Sequence, residues 1–380
     1  MSAAAPKILH VLPGFAPGGT ELRTVALINT LGPRFRHRIL TLTPETDAAA
    51  RLDSSLGVEI IGPPPRGNAL QWPLALRNIA RSEQPNLVIT YNWGATDMIL
   101  GARLGARCAF IHNECGFGPE EAERMIPRRV WTRRLLLNTI FRTVVVSEAL
   151  FETAQRDFHI APERLQFIRT GVRTERFKPG RNFMVRRRHG IGDDDLVFGF
   201  VGRFRPEKNL PLLIRAFAAA GLSSARLLVV GEGALQAELE RLVAELEIAD
   251  RVIFAGSAAE PLEYYHAIDV FAMSSITEQT SNAQLEAMAC GRPCILTDVG
   301  DCRRVLGEGV SAGSAVVASG DEAGFAAAMT ALARDPGLRE RAGQVNRERV
   351  VREYSFDRMV EEYGSLWSAA VASVDERMKG

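Results

Sequence analysis

Lysine is scarce in this chain: of 46 basic residues only four, at 7, 178, 208 and 379, are lysines, so a lysine inside a motif carries weight. Cysteine is scarce too. The five, Cys108, Cys115, Cys290, Cys294 and Cys302, are odd in number and scattered, which excludes a disulfide framework and points to a reducing compartment, the cytoplasm. No run of about 18 apolar residues occurs, so no helix is expected to span a membrane. The first 15 residues carry one cation, Lys7, and the apolar run ILHVL at 8–12, too brief for a secretory segment and better suited to a first buried strand. With a net charge of +1 and no nucleic-acid reader motif, nucleic-acid binding is disfavoured. The charge is nevertheless uneven: divided at Lys178, the halves carry about +7 and −6, an asymmetry that can steer an anionic partner toward the first half or simply reflect solvated surface.

What is present is enough for two cores. A length of 380 residues accommodates two domains of ordinary size. Short β-rich runs at 7–13, 38–42, 58–61, 86–90, 108–112 and 143–147 alternate with helix-patterned stretches, and a second series follows at 197–201, 226–230, 252–255, 270–273 and 294–297. The alternation predicts two doubly wound α/β units with parallel sheets. Residues 171–195, with KPG at 178–180 and clustered charges, read as the connection between them, and a helix over about 355–378 closes the chain.

Three segments carry candidate chemistry. GFAPGGTE at 14–21 follows the first strand, where open α/β sheets bind ligands. It lacks both the P-loop ending and the dinucleotide glycine spacing, as does the GEG at 231–233, so a nicotinamide or flavin enzyme is disfavoured; alone, the loop reads equally as a tight turn. VGRFRPEKNL at 201–210 places Gly202, Arg203 and Lys208 in one strand-to-helix connection, a forked donor and a point charge suited to a diphosphate, or else a solvated loop. In 274–294, Ser281 and Gln284 form a capping box and Gly291 with Pro293 stops the helix. The amides from Thr280 through Ser281 and Asn282 to Ala283 then form an electropositive tip that accepts phosphate. Glu278 precedes that helix and Glu286 lies two turns into it, each placed to read sugar hydroxyls, or else two glutamates of an ordinary surface helix.

Together, GGTE at 18–21, GVRTERFKP at 171–179, VGRFRPEK at 201–208, VGEG at 230–233, Glu278 with Glu286, and TDVGD at 297–301 resemble a family 4 glycosyltransferase with the GT-B fold. The resemblance implies two Rossmann-like domains facing across a cleft, 1–175 with a returning helix at about 358–380 on the acceptor side and 176–357 holding the nucleotide sugar. It implies that Arg203 and Lys208 meet the diphosphate, Glu286 the ribose and Glu278 the donor sugar, with Gly18, Gly19 and Gly202 close to the donor and His112 reaching the transferred sugar. Two departures stand out: Thr170 where the family usually has Asn, and Gln279-Thr280 where GlyPhe is common.

The expected reaction is a retaining transfer of a sugar from a nucleoside diphosphate, UDP ahead of GDP, to a hydroxyl of a glycan, glycolipid or lipid-linked acceptor in polysaccharide or glycoconjugate biosynthesis. No cofactor or metal is required, and the cysteines lack zinc-module spacing. The segment from Glu123 to Arg142 interleaves Arg124, Arg128, Arg129, Arg133, Arg134 and Arg142 with Trp131 and leucines, which suits an anionic inner membrane face or a helix packed on the first sheet. A nucleotide-sugar epimerase, a glycosyl phosphorylase and a non-catalytic sugar-nucleotide binder are the alternatives.

Overall fold

A computed structural model describes residues 5–65, 68, 71–117, 119–121 and 124–379. They form two compact units: residues up to Arg169 together with those from Met359 onward, and Thr170–Arg358. The first unit holds strands β1 (Lys7–Leu12), β2 (Arg36–Thr41), β3 (Glu59–Ile61), β4 (Leu87–Tyr91), β5 (Ala109–Glu114), β6 (Arg142–Val145) and β7 (Leu165–Phe167), with helices α1 (Gly19–Leu31), α2 (Gln71–Glu83), α3 (Asp97–Arg103), α4 (Pro127–Leu137) and α5 (Glu148–Arg156). The second holds α6 (Phe183–Arg188), β8 (Leu196–Val201), α7 (Leu210–Ala219), β9 (Ala225–Val230), α8 (Gln236–Glu245), β10 (Val252–Gly256), α9 (Pro261–Ala267), β11 (Val270–Met273), α10 (Asn282–Ala289), β12 (Cys294–Thr297), α11 (Cys302–Leu306), β13 (Ala315–Val317), α12 (Glu322–Arg334) and α13 (Pro336–Glu353). The last helix, α14 (Phe356–Lys379), starts in the second unit and from Met359 belongs to the first.

Both sheets are parallel, ordered β3-β2-β1-β4-β5-β6-β7 and β10-β9-β8-β11-β12-β13. Central strands such as β8 (LVFGFV) and β12 (CILT) are apolar at nearly every position because helices cover both faces. Each order reverses once, between β1 and β4 and between β8 and β11. At such a reversal the loops leaving the two strands diverge and open a crevice at their carboxyl ends.

Two expectations are corrected. Residues 171–195 are not a free connection: Arg186 is buried and bonds Ala267 O, Asp193 O, Asp195 O and the Asp269 carboxylate, so the segment is built into the second unit. The boundary accordingly falls before Thr170, where Val172 pairs with Ser355 and Arg347 reaches Thr174 O and Phe177 O. The three-residue edge strands β7 and β13 went unanticipated, being too short to show a pattern.

The arginine-rich segment is also rearranged, and its first residue, Glu123, lies outside the described residues. Arg133 points inward, buried against Glu114 at 2.9 Å and Glu121 at 3.2 Å, with the faces of Trp93, Phe117 and Phe158 about it. Arg129 pairs with Glu120 and Glu121, and Arg134 bonds Asp157 O. Outward, in place of a purely basic face, stand Trp131, 60% exposed, and Leu135, 68% exposed, one helical turn apart, with Arg124 and Arg128.

Candidate functional site

The reversal between β8 and β11 gathers most of the anticipated residues. β8 ends at Val201, and the connection to α7 carries Gly202, Arg203 and Lys208; β11 ends at Met273, and the connection to α10 carries Glu278, Gln279 and Thr280. The two loops are tied by backbone: Ser274 Oγ donates to Lys208 O and Asn209 O, and the Ile276 amide donates to Glu207 O at 2.8 Å.

Two glycines explain why these loops lie so close to their neighbours. Gly231, at φ 137°, packs against the first loop so tightly that a Cβ would sit 1.9 Å from Gly202 O, while the Gly202 amide donates to Val230 O and the Phe204 amide to Glu232 O. Gly300, at φ 51°, does the same against the second loop, its Cβ position 1.9 Å from Glu278 O, and the Asp301 amide donates to Gln279 O. Both positions lie in the positive-φ region that disfavours side chains. The GEG and TDVGD segments are therefore backing for the two loops.

Arg203 is exposed and makes no side-chain hydrogen bond or ion pair among the described residues. Lys208 Nζ is 2.5 Å from Glu278 Oε1, which also accepts from Ser275 Oγ at 2.9 Å. The two groups expected to address different parts of a donor thus hold each other directly. An arriving diphosphate would compete with Glu278 for the ammonium, and the freed carboxylate would then be available to hydroxyls.

Behind them, α10 begins as expected but with half the anticipated cap. Buried Ser281 accepts from the Gln284 amide at 3.3 Å, whereas the Gln284 side chain does not return and instead donates to Cys302 O at 2.9 Å. The amides of Asn282 and Ala283 have no acceptor among the described residues, leaving the positive end of the helix open to an anion.

Glu286 lies on the side of α10 facing α9, half-buried, and accepts from the Tyr265 hydroxyl at 2.9 Å. Burial pushes its carboxyl up to about 7, opposed by that hydrogen bond and by the Arg176 charge. Tyr265 was not anticipated: it is 21 residues from Glu286 in sequence, and no motif marks their contact. The thiols of Cys290, Cys294 and Cys302 are buried and pushed up by burial, as befits core groups rather than nucleophiles.

The remaining expected residues sit in the first unit. Gly18 caps α1 at the carboxyl end of β1 without a side-chain bond, followed by Gly19 as the first helical residue. The Glu21 carboxylate folds over this end, its Oε2 2.5 Å from where a Gly18 Cβ would be, and burial raises it. His112 is not at the strand's end, because β5 runs on to Glu114. Its ring is fully buried, with Nδ1 2.9 Å from Thr90 Oγ1 and Nε2 3.7 Å from Glu114 Oε2. Among the described residues no group of three His, Cys, Asp or Glu is arranged to hold a metal ion, and no helix is long and apolar enough to cross a membrane.

Comparison with known proteins bears on the family and the fold. Residues 17–176 match the family model for Glycosyltransferase Family 4, and residues 183–349 match that for Glycosyl transferases group 1. The putative glycosyltransferase EpsD of Bacillus subtilis is 32% identical over 204 residues, covering 52% of this chain and 53% of its own. A D-inositol 3-phosphate glycosyltransferase of Acidothermus cellulolyticus is 36% identical over 191 residues, covering 47% and 42%. The chain thus spans about half the length of these curated relatives. In fold, it resembles the Anabaena HepE structure in complex with UDP (TM-score 0.83, 18% identity, 96% of this chain and 100% of that one). It also resembles WaaG, described as a glycosyltransferase involved in lipopolysaccharide biosynthesis (TM-score 0.71, 16% identity, 94% and 99%). With the two family models together matching residues 17–176 and 183–349, the chain belongs to the family 4, group 1 glycosyltransferases of the GT-B fold.

Proposed function

We propose that this protein is a retaining glycosyltransferase that moves a sugar from a nucleoside diphosphate to a hydroxyl of a glycan, glycolipid or lipid-linked acceptor. The observation that carries the reading is the placement of Arg203, Lys208 and the open amides of Asn282 and Ala283 on the connections that leave β8 and β11 at the reversal, with Lys208 2.5 Å from Glu278. Two cations and a helix end are what a departing diphosphate requires, since its charge grows as the glycosidic bond breaks and groups already in place stabilise it without reorganising. Glu278 and Glu286 are acceptors for sugar hydroxyls, the first toward the donor sugar and the second toward the ribose. HepE is described in complexes with UDP, with UDP and glucose, and with UDP-glucose, which supports UDP ahead of GDP as the carrier.

The first unit is assigned the acceptor, with Gly18 and Gly19 near the donor. His112 is assigned to the transferred sugar by family resemblance. Because its ring is fully buried and hydrogen-bonded to Thr90 of the first unit, His112→Gln should lower transfer while leaving UDP affinity unchanged. Loss of thermal stability with transfer per folded molecule intact would assign the ring to the core.

Trp131, Leu135, Arg124 and Arg128 form the surface assigned to an anionic membrane, where aromatic and aliphatic groups enter the interface and guanidinium groups meet phosphates. Flotation with anionic vesicles should fall several-fold in Trp131→Ser; flotation independent of anionic lipid removes the membrane assignment.

The decisive experiment is a panel of nucleotide sugars offered with lipid-linked and glycan acceptors, followed by release of nucleoside diphosphate and by NMR of the product's anomeric carbon. Release that requires acceptor, with configuration retained, supports the proposal. Binding without release in any pairing would make the protein a sugar-nucleotide binder, and isomerised donor in the absence of acceptor would make it an epimerase.

A further inference from the structure

Glu286 is held by one neighbour in an unusually defined way. Tyr265, on α9, is completely buried, and its ring is fixed between Phe177, at 6.0 Å and 74°, and Phe271, at 6.2 Å and 54°. So fixed, the hydroxyl meets a single acceptor, Glu286 Oε2, at 2.9 Å. Glu286 Oε1 accepts from no protein donor among the described residues. The other titratable groups about the pair are Arg176 ahead of α6, Cys290 at the end of α10 and Cys294 on β12, while Arg347 of α13 bonds Ala289 O nearby. None of these is described as donating to the carboxylate, so the tyrosine sets its orientation.

We infer that Tyr265 is a positioning residue for the donor: by donating to Glu286 Oε2 it turns the carboxylate so that Oε1 alone is presented to a sugar hydroxyl, and it ties nucleotide binding to the ionisation of Glu286. The inference rests on the assignment of Glu286 to the ribose. The chemistry follows from the charge. Protonation removes the negative charge that makes Glu286 a strong acceptor, and a neutral carboxyl holds the sugar hydroxyl more weakly. Binding therefore displaces the proton to solvent, and affinity falls as pH drops through the carboxyl's titration. The direction of the tyrosine's effect is also fixed, because a donated hydrogen bond favours the charged carboxylate. Without the hydroxyl the carboxyl titrates at higher pH still.

The test is calorimetric titration of UDP into the wild-type chain, Tyr265→Phe and Glu286→Gln between pH 6 and 9. Tyr265→Phe removes one oxygen and leaves the packed ring. Wild-type affinity should fall by up to tenfold per pH unit on the acid side of a midpoint near 7 and level off above it. Tyr265→Phe should move that midpoint up by about one to two units, the size expected from losing one hydrogen bond to a charged group, with the loss of affinity shrinking toward pH 9 to what an unoriented carboxylate costs. Glu286→Gln should lose the step near 7, keeping only the shallow dependence that UDP's own terminal phosphate contributes at about pH 6. A Tyr265→Phe midpoint equal to wild type, or a loss of affinity equal at every pH, overturns the positioning role while leaving the donor site standing. A wild-type chain that binds neither UDP nor GDP, or a Glu286→Gln profile identical to wild type, overturns the assignment of Glu286 itself.

Discussion

At the scale of single residues, the scarce lysine is the most exposed to test. Lys208 sits in an ion pair with Glu278, so its loss would remove the proposed diphosphate contact and also unbalance a carboxylate. A charge-assisted hydrogen bond of about 1.5 to 3 kcal/mol corresponds to about 10- to 150-fold in rate. Transfer by Lys208→Ala should fall within that range, measured as nucleoside diphosphate release, and a parental rate would remove Lys208 from the site. That Lys208 and Arg203 stand on one strand-end loop, with Glu278 before the next capped helix and Glu286 within it, was legible because local chain geometry decides it. Tyr265 and Ser275 were not, since only tertiary packing aims them at a carboxylate. The buried pair in the first unit was equally hidden. His10 Nε2 lies 2.9 Å from His37 Nδ1 and His10 Nδ1 lies 2.9 Å from Tyr91 Oη. Burial lowers both histidines, His37 to about 4. The unfolded chain therefore binds more protons below the ordinary histidine range, and stability should drop as pH falls from about 6.5 toward about 4. His37→Gln should flatten this part of a melting-temperature profile; an unchanged slope would remove the pair as its source.

At the scale of elements, α10 and α4 contrast. The start of α10 was readable from Ser281, because an N-cap declares itself within three residues. Ser281→Ala should lower stability by about 1 kcal/mol in denaturant unfolding and weaken UDP binding as the helix tip frays. Full retention of both would show that the cap is dispensable. α4 was only half readable: its alternation of arginine and leucine does not say which arginine turns inward, a matter decided by Glu114 and Glu121 from other parts of the chain. Removing one partner of a buried pair leaves charge stranded. Arg133→Ala should therefore cost about 3 to 5 kcal/mol, whereas Arg128→Ala, on an exposed side chain, should leave the melting temperature nearly unchanged. Comparable losses for both would overturn the inward placement.

At the scale of the whole molecule, the two α/β units were legible from alternating apolar runs, and the boundary before Thr170 was not, because residues 171–195 look like a linker in composition but bury Val185, Arg186 and Ile191. The nucleotide's ribose and diphosphate are assigned to the second unit. Hydrogen exchange with saturating UDP should slow at 202–209 and 278–286 and leave β1 to β7 unaffected; protection centred on the first unit would overturn the assignment. Gly231 and Gly300 carry one more consequence. Each occupies a place where its neighbour's carbonyl leaves no room for a single carbon. A library randomised over the second unit's loops to alter sugar preference should therefore recover wild-type glycine at both positions in every active clone. Diversity would accumulate instead at Gln279 and Thr280, whose side chains are half-exposed.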